Sequence, residues 1–113
     1  MVEIKDIQAV DIDAEVKSST RPVVLEFWIR SCDQCRKFKP VYERLPEYFE
    51  YVSFFRMNMM KSIENLRLAE GMGVEVTPTT KVFCGGSEVG EIVGYRSFDD
   101  AVAEIEGLIK DCR

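Results

Sequence analysis

Residues 22–29, PVVLEFWI, are apolar at every position but one. A run this continuous, rich in β-branched and aromatic residues, predicts a central strand covered on both faces. The exception is Glu26, a carboxylate inside the strand. From Asp33 the period changes. Cys35, Phe38, Val41, Tyr42, Leu45 and Phe49 recur at spacings that place them on one face of a helix. Pro40 lies inside this helix, removes a backbone donor and predicts a kink, and Pro46 predicts a break or an early end. Residues 51–59, YVSFFRMNM, read as another strand, with a single charge at Arg56 and with Met57 and Met59 on a shared core face. Residues 62–73 read as a short helix, capped by Ser62 and stopped by Gly71 or Gly73.

Residues 80–95 read as two strands joined at Gly85–Gly86, a strong hairpin signal. Residues 97–110 close the chain as an amphipathic helix whose inner stripe is Phe98, Ala101, Val102, Ile105, Leu108 and Ile109. Upstream, residues 10–19 predict a short helix and residues 2–7 an edge strand. The early alternation of strand and helix implies parallel crossovers, and the late hairpin implies antiparallel strands at one edge. The expectation is an α/β domain over residues 1–113, with a mixed sheet of about five strands flanked by about four helices.

Composition narrows the function. The chain has 113 residues, 46% of them hydrophobic, enough for a core without staples. The net charge of −5 argues against nucleic acid, which needs a basic face, and against an anionic membrane surface. No apolar run is long enough to span a bilayer, and the first thirty residues lack a signal-peptide pattern, so the expected setting is the cytoplasm. There is no histidine, which excludes Ser-His-Asp and Cys-His catalysis and His-ligated metals. There are four cysteines, at 32, 35, 84 and 112. Cys32 and Cys35 form a C-x-x-C that is a redox couple, half of a metal site or two small core residues. Structural zinc wants four ligands, which weakens the metal reading. Cys84 and Cys112 lack partners at metal-ligand spacing and read as small buried or surface residues, with Cys112 able to form an adventitious dimer in air.

The combination of motifs resembles the thioredoxin family over nearly the whole chain. VVLEFW is similar to its V-L-V-D-F-W strand, CDQCRKFKP to its C-G-P-C-K-x-x-x-P with Pro40 at the kink position, and GVEVTPT to its G-I-x-x-x-P-T segment. VFCGGSEVGEIVG is similar to its F-x-x-G…V-G hairpin. The resemblance implies a thioredoxin fold. It also implies that Pro78 is a cis-proline facing the cysteines and that Gly94 borders a substrate groove. The chain departs from the pattern in five places. Ser31 replaces a tryptophan, Asp33–Gln34 replace Gly-Pro, Glu26 replaces an aspartate, Arg56 replaces a lysine and Met60 replaces an aspartate.

Disulfide exchange needs an attacking thiolate and a resolving thiol. A helix N-terminus favours the thiolate, which assigns Cys32 as nucleophile and the deeper Cys35 as resolving thiol. The resemblance implies that Glu26 sits beneath Cys35 as a proton shuttle, with Arg56 as its charge partner and Lys81 as the alternative; a structural ion pair is the competing reading. Thr77, Pro78, Gly94, Asp33 and Gln34 are the expected substrate-binding residues, with the Thr77 backbone pairing an extended substrate. Asp33 beside Cys32 disfavours its thiolate and predicts a potential at or below the roughly −270 mV of thioredoxin; alternatively it is a common first-turn acid. The leading expectation is therefore a monomeric thiol-disulfide oxidoreductase. It would reduce protein disulfides, require a reductase or other thiol electron donor, and bind no metal or organic cofactor. The competing expectation is a non-catalytic thioredoxin-fold adaptor.

Overall fold

The two apolar strands lie side by side at the centre of one sheet. In a computed structural model, which describes residues 4–112, the strands are β1 (Lys5–Asp6), β2 (Val23–Trp28), β3 (Ser53–Asn58), β4 (Thr79–Cys84) and β5 (Ser87–Val93). Their order is β1-β3-β2-β4-β5. β1 and β2 run parallel to β3, whereas β4 is antiparallel to β2 and β5 to β4. The expected mixed sheet is observed, with the hairpin at one edge. Gly85 and Gly86 make its turn at φ +60° and +83°, the left-handed region that a two-residue hairpin turn needs.

Three helices, α1 (Asp33–Tyr48), α2 (Ile63–Gly71) and α3 (Phe98–Ile109), cover the sheet. Each begins at a side chain that accepts the backbone N–H three residues on: Cys32 from Cys35, Ser62 from Asn65 and Ser97 from Asp100. The alternating side chains of the strands build two cores. Val24, Phe54, Val82 and Ile92 meet Phe38, Tyr42 and Leu45 of α1 and Ala101 and Ile105 of α3. On the other face, Leu25, Phe27, Phe55 and Met57 meet Ala69 of α2 and Ile12 and Val16 of the N-terminal segment. Met59 is buried with them, whereas Met60 is exposed.

The structure changes four expectations. The N-terminal segment is not one helix but a 3-10 turn at Ala9–Asp11 followed by a wider π-type turn at Asp13–Lys17; burial of Ile12 and Val16 fixes it, rather than helix propensity. β1 is only Lys5–Asp6, and residues 2 and 3 of the expected strand lie outside the described residues. Pro46 does not end α1, which continues to Tyr48. A proline in the last turns forfeits one hydrogen bond, and its buried ring offsets part of that loss. Finally, Cys84 and Cys112 are partners. Cys84 ends β4 and Cys112 follows α3, and packing of α3 on the hairpin brings their Cα atoms to 5.6 Å, within disulfide range. The structure joins them as a disulfide, and no described cysteine is free.

Candidate active site

The chain leaves β2 at Trp28 and enters α1 at Cys32, so the central strand delivers both cysteines to one end of the sheet. Cys32 is the N-cap of α1, and its Sγ accepts the Cys35 N–H at 3.1 Å. An amide at a helix start, with the helix dipole behind it, favours negative charge on that sulfur. The two sulfurs pair as a disulfide across Cα atoms 5.2 Å apart. Cys35 is buried, whereas Cys32 is partly exposed. An incoming sulfur therefore meets Cys32 first.

Two further segments converge on Cys32. The Thr77–Pro78 peptide is cis, and the Thr77 carbonyl oxygen lies 3.4 Å from Cys32 Sγ. The Gly94 N–H donates to the Pro78 carbonyl at 2.7 Å, with Gly94 at φ +87°. Gln34, between the cysteines, reaches across to accept the Tyr95 N–H at 3.2 Å on its Oε1. Thr77 thus touches the Cys32 sulfur, Gly94 is tied to Pro78, and Gln34 is tied to Tyr95, which brings the Thr77–Pro78 and Gly94–Tyr95 segments to the start of α1. Asp33 is ion-paired with Arg36, whose guanidinium also donates to the Arg30 carbonyl at 3.0 Å.

Behind the cysteines, Glu26 is fully buried and faces Arg56 on the same rung of the parallel ladder. Arg56 Nε donates to Glu26 Oε1 at 2.8 Å, and its guanidinium stacks 4.5 Å from the centre of the Trp28 ring. Cys35, Trp28, Arg36 and Arg56 line a cavity of about 180 Å³, so the buried sulfur and the arginine of the ion pair border one space. Lys81, the alternative partner, is excluded by register. Thr80 stands opposite Glu26, so Lys81, one residue on, points to the other face. There its amine binds Glu88 at 2.9 Å and Glu91 at 2.7 Å. A larger groove of about 690 Å³ beside Gln8, Val10 and Asn65 is lined by no cysteine. Among the described residues, no three His, Cys, Asp or Glu side chains are grouped to hold a metal ion.

Burial pushes the Glu26 carboxyl above its ordinary pKa, and the hydrogen bond and charge of Arg56 only partly oppose it. The raised value means that the folded protein holds this proton more tightly than the unfolded chain does. Stability therefore falls as pH rises from the ordinary glutamate value through the raised folded one. We expect this decline in urea-unfolding free energy for the natural protein and its loss in Glu26→Gln; identical pH slopes for the two would contradict it.

Sequence reasoning missed Thr80. A threonine in a strand is ordinary, and its significance appears only when the ladder sets it opposite a buried carboxylate. It also missed the bridge from Gln34 to Tyr95, which requires the distance from α1 to the β5–α3 loop.

A helix-capping cysteine pair opposite a cis-proline, on a five-stranded mixed sheet, defines the thioredoxin-fold class. The thioredoxin family model matches residues 3–107. The chain is 37% identical over 86 residues to the F-type chloroplastic thioredoxin of Mesembryanthemum crystallinum, covering 76% of this chain and 44% of that protein. It is 31% identical to a thioredoxin of Streptomyces clavuligerus, covering 82% of this chain and 84% of that protein. The crystal structure of spinach chloroplast thioredoxin f, short form, superposes with a TM-score of 0.83 at 29% identity, covering 94% of this chain and 93% of that one. The chain belongs to the thioredoxin family. It spans less than half the length of the chloroplastic relative from Mesembryanthemum.

Proposed function

We propose that the protein is a thiol-disulfide oxidoreductase that reduces protein disulfides through a Cys32–Cys35 dithiol. The observation that carries this reading is the placement of Cys32 Sγ at the start of α1, 3.1 Å from the Cys35 amide and 3.4 Å from the Thr77 carbonyl oxygen. The Cys32 thiolate attacks one sulfur of a substrate disulfide, forming a mixed disulfide and expelling the other substrate sulfur as a thiolate. The Glu26 carboxylate, held by Arg56, takes the Cys35 proton. The Cys35 thiolate then attacks Cys32, releases the second substrate thiolate and leaves the protein oxidised. Two electrons pass to the substrate, and an external dithiol donor such as a reductase restores the pair. No organic cofactor enters this scheme. Thr77 and Pro78, with Gly94, Asp33 and Gln34 around them, form the surface on which the substrate chain lies. A reducing compartment such as the cytoplasm and a single subunit complete the reading.

A redox titration of the Cys32–Cys35 pair against a dithiol buffer, read by thiol alkylation and mass, tests it. Asp33 predicts a potential at or below about −270 mV, although its pairing with Arg36 blunts its field at Cys32. A value near the roughly −180 mV of a disulfide isomerase would reverse the direction of electron flow. Absence of a reversible disulfide would leave an adaptor, not an enzyme.

A further inference from the structure

Among the described residues, three buried side-chain polar atoms lack a hydrogen-bond partner: Glu26 Oε2, Thr80 Oγ1 and Trp28 Nε1. Unsatisfied buried atoms are rare and costly, and these are not scattered. Glu26 and Trp28 are two residues apart on β2, so they share a face, and Thr80 stands directly opposite Glu26 across the antiparallel ladder. Directly opposed residues have Cβ atoms about 4.5–5.5 Å apart on the same face. Thr80 and Glu26 are each fully buried. Two groups able to satisfy one another thus stand side by side, each without another partner. We propose that Thr80 is a positioning residue for thiol exchange, its hydroxyl holding Glu26 Oε2 through one bridging water while Arg56 holds Oε1.

A hydroxyl suits this place because it serves both states of the carboxyl. It accepts from the protonated acid and donates to the carboxylate. Glutamate has a longer stem than the aspartate that the family pattern places there. Fixed at one oxygen only, its second oxygen is free to rotate away from Cys35; a contact at each oxygen fixes the plane of the group. Other charged or titratable groups on this face include Arg56 from β3, Asp6 from β1, and Cys35, Arg36, Lys39, Tyr42 and Glu43 from α1. On β4, Lys81 is committed to Glu88 and Glu91 on the far face. No other group on β4 can take the role of Thr80.

The inference rests on the reading of Glu26 as proton shuttle, and the test separates the two. Reduced natural protein, Thr80→Val and Thr80→Ser are labelled at glutamate side-chain carbons, and the Glu26 carboxyl is titrated by NMR alongside the pH profile of exchange. Charge-assisted hydrogen bonds are about twice as strong as neutral ones, so losing the hydroxyl costs the carboxylate more than the acid. We expect Thr80→Val to move the Glu26 midpoint up by about one pH unit, a tenfold change in acid constant. Thr80→Ser should restore it, and the exchange profile should follow. If the midpoint moves and exchange does not, Thr80 positions Glu26 but Glu26 is no shuttle. An unmoved midpoint overturns the inference whatever exchange does. So does a more stable Thr80→Val protein with an unmoved midpoint, the result expected of a hydroxyl buried without a partner. Thr80→Ala gives the same readings where valine does not fold.

Discussion

Cys35→Ser protein, mixed with an oxidised substrate, accumulates a covalent complex through Cys32, whereas Cys32→Ser protein forms none and loses exchange to the uncatalysed background. The asymmetry follows from burial and capping. Cys32 is partly exposed and receives the Cys35 amide on its sulfur, so its thiolate is both accessible and stabilised. Cys35 is sealed beneath the start of α1 and reaches no external disulfide. Its one accessible target is the sulfur of Cys32, and serine there cannot break the mixed disulfide. Non-reducing gels and intact mass measure both outcomes. A stable complex through Cys35 in the Cys32→Ser protein would reverse the assignment of roles.

The second large effect lies at the opposite end of β4. Cys112→Ser, or reduction of the Cys84–Cys112 disulfide, frees a loop closed across a sequence separation of 28. In the chain-entropy account, cross-linking a loop of that size is worth about 3.5 kcal/mol. For a domain of this length that corresponds to roughly 15 °C in Tm. We expect that loss in thermal unfolding of Cys112→Ser under oxidising conditions. Natural protein and variant should converge once strong reductant opens both disulfides. Equal Tm values before reduction would mean that the pair contributes nothing in solution. The Cys32–Cys35 loop is far shorter, so its opening costs less, and the two disulfides separate in a reductant titration followed by mass.

Local pattern carried the sequence reading as far as local pattern can. The unbroken apolarity of residues 22–29 announced a central strand because both faces of β2 are buried. The Ser62 cap of α2 and the paired glycines of the hairpin each satisfy a backbone requirement within a few residues. What the sequence hid depends on register and packing. Lys81 and Thr80 are adjacent in the chain, yet only one faces Glu26, and that is decided by the pairing of β4 with β2. Cys84 and Cys112 became partners only when α3 docked. The N-terminal segment contained helix-forming residues, but its two buried side chains, not its propensity, set the turn geometry. At the site, Cys32 and Cys35 were legible from spacing and Pro78 and Gly94 from resemblance, whereas the links among them run between elements that no spacing reveals.

The strand order has one more consequence, for solubility. An open sheet has two edges, and an exposed edge invites other chains to add strands to it. Here one edge is a strand of two residues, too short to template a partner. The other, β5, carries Glu88 and Glu91, both tied to Lys81, and a bulge in the β4–β5 pairing at Val82/Phe83 disrupts the regular ladder. Both flanks are thereby guarded against strand addition and aggregation. On the proposed function, this leaves the Thr77 backbone beside Cys32 as the place where an extended substrate segment is to pair, so that capture and chemistry coincide.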